Sequence, residues 1–277
     1  MAGIRLIAMD MDGTLLASDG RTIPRENVRA LRRAAEKGIC LALATGRLPD
    51  DAGFFALDAG LPMRILAVNG SVRVDAPLGA VSAAHFIPEP TARAIAGMIR
   101  ACGLRFSIFS VHEVAFSSMP PDIAAARRSQ GTYLDRPGGR TRLSLDGSRI
   151  EALLSRVNKF SVICPDAERL ARLRARVLSE IAGADVTSSW YDNLEIIPGG
   201  VNKGSAVAEL AASLGIAPEE VMAIGDQDND IPMIAGAGIG VAMGNASPAA
   251  RAAAHRIVGT NDQGGVAQAI EALALGE

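Results

Sequence analysis

Apolar positions along this chain fall into two patterns. Short, largely apolar runs end at small or polar residues: Ile4 to Met9 before Asp10, Ile39 to Ala44 before Thr45-Gly46-Arg47, and Arg64 to Val68 before Asn69-Gly70. The same pattern returns at Val221 to Ile224 before Gly225-Asp226, and at Ile239 to Met243. Runs of this kind read as strands buried on both faces. Between them, apolar residues recur at helical spacing, as Val28, Leu31, Ala34 and Ala35 do within Arg25 to Lys37, with Gly38 placed to end the helix. Lys203 to Leu214, Ile231 to Ala235 and Gly265 to Leu275 also read as helices. Strand and helix in alternation predict an α/β fold with a doubly wound, Rossmann-like parallel sheet.

The middle of the chain breaks the alternation. Leu104 to Phe109, Val111 to Phe116, Phe160 to Cys164 and Val186 to Tyr191 are β-type runs set close together, with helices expected only at Thr91 to Cys102 and Ala167 to Ile181. Such spacing predicts an antiparallel sheet with helices on one face. We therefore expect an inserted α+β cap domain over residues 84–190, and a core from residues 1–83 and 191–277. Gly131 to Gly147, rich in Gly, Arg and polar residues, reads as a loop.

Composition narrows the class. The 277 residues suffice for two domains, and 49% apolar against 21% charged residues describes a globular chain. A net charge of −2 speaks against nucleic acid or an anionic membrane as partner. No stretch reaches the ~18 apolar residues of a membrane span. Asp10 and Asp12 interrupt the first apolar run before it could act as a signal. Cys40, Cys102 and Cys164 lack the spacing of a disulfide framework or a zinc site. The expected location is the cytoplasm.

Chemistry-bearing residues collect where the buried strands end. Asp10-Met11-Asp12-Gly13 puts two carboxylates and a flexible turn at a strand's carboxyl edge, where open α/β sheets bind ligands. Taken alone, this is as consistent with an ordinary turn as with a site. Thr45-Gly46-Arg47 ends the second strand and faces the same edge. Lys203 opens a helix after Gly199-Gly200, where free N–H groups favour an anion. The chain has three lysines against 25 arginines, so a lysine here points to a need for a compact ammonium. Gly225-Asp226-Gln227-Asp228-Asn229-Asp230 can be read as an acidic helix cap. However, Asp10, Asp12, Asp226 and Asp230 gathered at one edge would repel one another without a cation, and hard carboxylate oxygens suit Mg²⁺. His85, His112 and His255 have no motif partners and are read as non-catalytic.

In order, Asp10-Met11-Asp12-Gly13-Thr14, Thr45-Gly46-Arg47, Lys203 and Gly225 to Asp230 resemble the four motifs of the haloacid dehalogenase-like hydrolase superfamily. The cap-sized insertion between Gly70 and Gly199 is similar to that of its Cof-type sugar-phosphatase branch. The resemblance implies a Mg²⁺-dependent phosphatase of small phosphorylated metabolites, such as sugar or cofactor phosphates. It implies Asp10 as the nucleophile that becomes an aspartyl phosphate, and Asp12 as general acid and base. Mg²⁺ would be held by the Asp10 carboxylate, the Asp12 backbone carbonyl and Asp226. Thr45, Gly46, Arg47, Lys203 and Asn229 would bind phosphate or substrate, and Asp230 would orient Lys203 or a metal-bound water. A dehalogenase needs neither Asp12 nor a metal cluster. A phosphosugar mutase or other phosphotransferase on the same core, and a non-catalytic phosphate-ligand binding or regulatory protein, are the alternatives; a receiver-like phospho-acceptor would not explain the cap.

Charge divides unevenly between the two parts: residues 84–190 carry +5 and the remainder −7. A basic lid over an acidic core is expected to attract anionic substrates. Arg169, Arg172 and Arg176 fall on a helix and read as its solvated face. Arg136, Arg140 and Arg142, in the Gly-rich loop beside Tyr133, are the candidates for contact with the leaving group, Arg140 and Arg142 above all.

Overall fold

A computed structural model describes residues 3–129, 131–189 and 192–276. Fourteen strands among them, in chain order, are β1 (Leu6–Met9), β2 (Cys40–Ala44), β3 (Met63–Ala67), β4 (Val72–Val74), β5 (Val81–Ala84), β6 (Ser107–Ser110) and β7 (Glu113–Phe116), followed by β8 (Arg142–Ser144), β9 (Lys159–Ile163), β10 (Ala184–Thr187), β11 (Asn193–Pro198), β12 (Val221–Gly225), β13 (Ile239–Ala242) and β14 (Arg256–Ile257). They form two sheets. The larger has the order β14-β13-β12-β1-β2-β3-β4-β5, parallel from β14 to β3 and antiparallel beyond. The expected strands are all parallel members of this sheet, their apolar runs buried on both faces as predicted. β1 lies at the centre, so Asp10 emerges between β2 and β12 at the carboxyl edge.

The smaller sheet has the order β10-β11-β9-β6-β7-β8 and is antiparallel except for the β7–β8 pair. The helices Glu89–Ala101 and Ala167–Glu180 bury Ile95, Ile99, Leu173 and Val177 in the same apolar cluster as Ile108, Phe160 and Ile196 of its strands. Sheet membership corrects one boundary. β11 pairs with β10 and β9, so the chain leaves the smaller sheet after Pro198 and not after Trp190. Of the expected strand Val186 to Tyr191, β10 takes the start; Trp190 and Tyr191 lie outside the described residues.

Several elements had no counterpart in the sequence reading. β4 and β5 extend the larger sheet, and helix Pro49–Ala59 follows β2. Part of the expected loop Gly131 to Gly147 is strand, since β8 pairs with β7 there. No described helix is long and apolar enough to cross a membrane.

Candidate active site

The site begins where β1 stops. Asp10 ends the strand, and Met11–Leu15 turn sharply, with Asp12 extended (φ −79°, ψ 121°) and Gly13 left-handed (φ 78°). A Cβ on Gly13 would lie 2.3 Å from Asp226 Oδ2 as well as in an unfavourable backbone region, so only glycine fits. Thr14 then donates its hydroxyl to Asp226 Oδ1 at 2.7 Å, tying this turn to the end of β12.

Lys203 reaches the same point from the first turn of helix Lys203–Ser213. A capping box of Asn202 and Ser205 fixes that helix start. The ammonium, 1% exposed, donates to Asp10 Oδ1 at 2.7 Å and to Asp230 Oδ1 at 2.6 Å. Asp230 is itself anchored, its Oδ2 accepting from the backbone N–H groups of Asp226 and Gln227 at 2.9 Å each. Asp230, read from the sequence as orienting Lys203 or a metal-bound water, lies in contact with the Lys203 ammonium.

Carboxylate oxygens of Asp10, Asp226 and Asp230 lie within 4.8 Å of one another, all buried. Burial, reinforced by Asp230 and Asp226, pushes the Asp10 carboxyl well above its ordinary range, and Lys203 only partly opposes it. Asp226 is pushed up to about 6, again by burial first and then by Asp230. Burial works against the charge on Lys203, but Asp10 and Asp230 outweigh it and hold the ammonium charged. Two carboxyls whose charged forms are disfavoured beside one fixed cation make a set that a divalent, oxygen-seeking ion would complete. Mg²⁺ fits this donor set, with Asp10 and Asp226 as the side chains free to hold it.

The carboxylate of Asp12 is not part of that cluster. The turn at Gly13 leaves it 55% exposed, gripped by Arg47 through Nε at 2.8 Å and a terminal nitrogen at 2.6 Å. Arg47 is held in turn by buried Asp51 at 2.7 Å. The strand ends at Met9, and the turn still brings Asp12 onto the wall of the same cavity as Asp10.

A cavity of about 450 Å³ opens above Asp10, between the two sheets. Of the expected binding residues, Gly46, Arg47, Lys203 and Asn229 line it. Thr45 does not: it is fully buried, and its hydroxyl accepts from the Arg47 N–H at 3.1 Å, fixing the loop from behind. Arg140 and Arg142 are elsewhere. Arg140 bonds Asp50 and the Gly79 carbonyl, and both arginines line a separate cavity with Arg149 and Arg156. His85, His112 and His255 are also absent from the Asp10 cavity.

The sequence reading missed the smaller sheet's own contribution. Lys159 of β9 and Glu195 of β11 form a buried ion pair at 2.7 Å on the cavity wall. Lys159 also donates to the Gly46 carbonyl at 3.1 Å, and Glu195 Oε2 accepts from Asn69 Nδ2 at 2.7 Å. Val68 and Asn69, both left-handed (φ 51° and 57°), turn the backbone at that point. The pair thus ties the two sheets together at the Gly46 loop. The scarcity of lysine that marked Lys203 would have marked Lys159 too. Replacing Lys159 with Met leaves Glu195 buried and uncompensated, and should cost about 3–5 kcal/mol of stability. Adding Glu195→Gln should restore more than half of it, as read by urea unfolding of the single and double variants.

Titration of Asp226 yields a second expectation. Its carboxyl titrates near 6 when folded against an ordinary 3.8, so the folded chain binds this proton more tightly than the unfolded chain. The contribution to stability is therefore full below pH 3.8 and is lost as pH rises through 6. Metal-free protein should gain about 2–3 kcal/mol from this group on going from pH 7.5 to pH 4. Asp226→Asn should remove that component and raise Tm at pH 7.5. Mg²⁺ should raise the Tm of the wild type at pH 7.5 and that of the variant much less, measured by differential scanning fluorimetry.

An acidic triad and a buried lysine thus meet in a cleft at the carboxyl edge of a parallel α/β sheet. The family model of the haloacid dehalogenase-like hydrolases matches residues 7–270, and the chain belongs to that family as one of its phosphatases. It is 31% identical over 270 residues to a 5-amino-6-(5-phospho-D-ribitylamino)uracil phosphatase of Bacillus subtilis, covering 96% of this chain and 94% of that one. It is 30% identical over 268 residues to a pyridoxal phosphate phosphatase of Escherichia coli, covering 96% and 97%. A haloacid dehalogenase-like hydrolase structure from B. subtilis superimposes with a TM-score of 0.84 at 26% identity, over 98% of this chain and all of the other.

Proposed function

We propose that this protein hydrolyses small phosphomonoesters in a Mg²⁺-dependent reaction that passes through an aspartyl phosphate on Asp10. The reading rests above all on the buried contact of Lys203 with Asp10 at the floor of the cavity. Lys203 holds Asp10 in place and offsets its charge as the phosphate approaches. Asp12 leaves Arg47, takes up a proton from solvent and passes it to the departing ester oxygen as Asp10 attacks phosphorus. Asp12 then takes a proton from a water that attacks the same phosphorus, releasing inorganic phosphate and restoring the Asp10 carboxylate. Held by Asp10 and Asp226, Mg²⁺ would neutralise the repulsion between the nucleophile and the phosphate. Gly46, Arg47 and Asn229 line the cavity around the phosphate position, and Asn229 Oδ1 is buried with no partner there.

Relatives named as phosphatases of pyridoxal phosphate and of a ribitylaminouracil phosphate support a small phosphorylated metabolite as substrate. Phosphate release from a panel of small phosphomonoesters, with Mg²⁺ and with excess chelator, tests the reading. Release in Mg²⁺ and none in chelator is expected. Formation of an isomer in place of free phosphate would make it a mutase, and binding without turnover would make it a sensor.

A further inference from the structure

Every cation on the wall of the Asp10 cavity is already matched. Lys203 is held by Asp10 and Asp230, Arg47 by Asp12 and Asp51, and Lys159 by Glu195. The charge left over is acidic. Asp192, immediately before β11, lines the cavity and has no cationic partner among the described residues. Its backbone carbonyl accepts from the Cys164 N–H at 2.9 Å, which fixes it beside the end of β9. Near it the wall is made of Ile163 and Ser161 of β9, with Phe109 of β6 further along. Five of the exposed arginines of residues 84–190, Arg93, Arg100, Arg149, Arg172 and Arg176, pair with glutamates, and no described arginine of those residues lines the Asp10 cavity.

We propose that this wall selects phosphomonoesters whose body carries no second anion and offers hydrogen-bond donors, such as hydroxyl, amine or ring N–H groups, and that Asp192 enforces the choice. The inference rests on the phosphatase reading above and narrows its substrate class. The transferred phosphate meets Lys203 and the Gly46 loop at the floor. A second phosphate on the same molecule would extend toward Asp192, where none of the described residues lining the cavity offers a free cation. Lys159 cannot be diverted to it without leaving Glu195 buried and unpaired. A hydroxyl or amine in the same place gains a charge-assisted hydrogen bond. Discrimination therefore comes from repulsion of the wrong substrate as much as from attraction of the right one. One uncompensated like charge facing the substrate should be worth about tenfold or more in relative kcat/KM.

The test compares fructose 6-phosphate with fructose 1,6-bisphosphate, using 4-nitrophenyl phosphate as reference, in wild type, Asp192→Asn and Asp192→Lys. Each sugar phosphate is also measured as an inhibitor of 4-nitrophenyl phosphate hydrolysis, so a poor substrate still reports its affinity. Wild type should favour the monophosphate by about tenfold or more in kcat/KM or Ki, Asp192→Asn should shrink that ratio, and Asp192→Lys should reverse it. An equal or opposite preference in wild type, or a ratio unmoved by both substitutions, would overturn the inference and leave the phosphatase reading standing. No phosphate from any of the three compounds in Mg²⁺ would overturn the phosphatase reading and the inference with it.

Discussion

Asp10→Asn should lose phosphate release by about 10⁴-fold or more and remain folded. Covalent transfer needs a carboxylate oxygen that can bond to phosphorus, and an amide of the same shape supplies none. The fold should tolerate the change because the wild-type carboxylate is held there against its own burial, which raises its pKa. Lys203 keeps its contact with Asp230 at 2.6 Å, so the ammonium is not left alone. Thermal unfolding should therefore show a Tm at or above that of the wild type. Rapid acid quench of the wild type with labelled substrate should trap phosphate on protein, and the variant should trap none. A folded Asp10→Asn protein with more than a few per cent of normal, Mg²⁺-dependent turnover would rule out the covalent route.

The parallel core was legible because its signals are local. Each buried strand is a short aliphatic run that ends in a turn carrying site residues, and Asp10, Gly46, Lys203 and Asn229 met in one cavity as their positions at strand and helix ends required. Elements stabilised by distant partners were not legible. Helix Pro49–Ala59 buries Asp50 and Asp51, which breaks any amphipathic pattern. Those acids are buried because Arg140, Thr141, Arg47 and the Tyr133 N–H bond them from other parts of the chain. Burial alone would raise the Asp50 carboxyl, yet His112 and Arg140 hold it well below the usual range. The boundary set at residue 190 left β11 in the core, whereas its partner β9 lies some thirty residues earlier in the chain. A charge count over residues 84–190 cannot say which way a side chain faces: among the described residues of that part, the cavity wall received Lys159 and no arginine.

Lys203→Met should be the most disruptive single change that leaves every carboxylate in place. The ammonium is the cation that both Asp10 and Asp230 contact, and methionine fills similar space without charge. Removing one partner of a buried ion cluster costs about 3–5 kcal/mol, because the remaining charges stay out of water. Loss of a preorganised cation at the reacting phosphate should lower kcat by about 10²–10³-fold or more. The two effects separate in the double variant Lys203→Met/Asp230→Asn. Its asparagine can still accept from the Asp226 and Gln227 N–H groups, so most of the stability should return while kcat stays low. Without Lys203, the Asp10 and Asp226 carboxyls rise further, and the folded chain binds their protons still more tightly than the unfolded one. Single-variant stability should therefore climb as pH falls from 7.5 toward 5, more steeply than in wild type. Urea unfolding across that range, with phosphate release at pH 7.5, measures both effects. Recovery of kcat along with stability in the double variant would show that Lys203 supports the fold and contributes nothing to phosphoryl transfer.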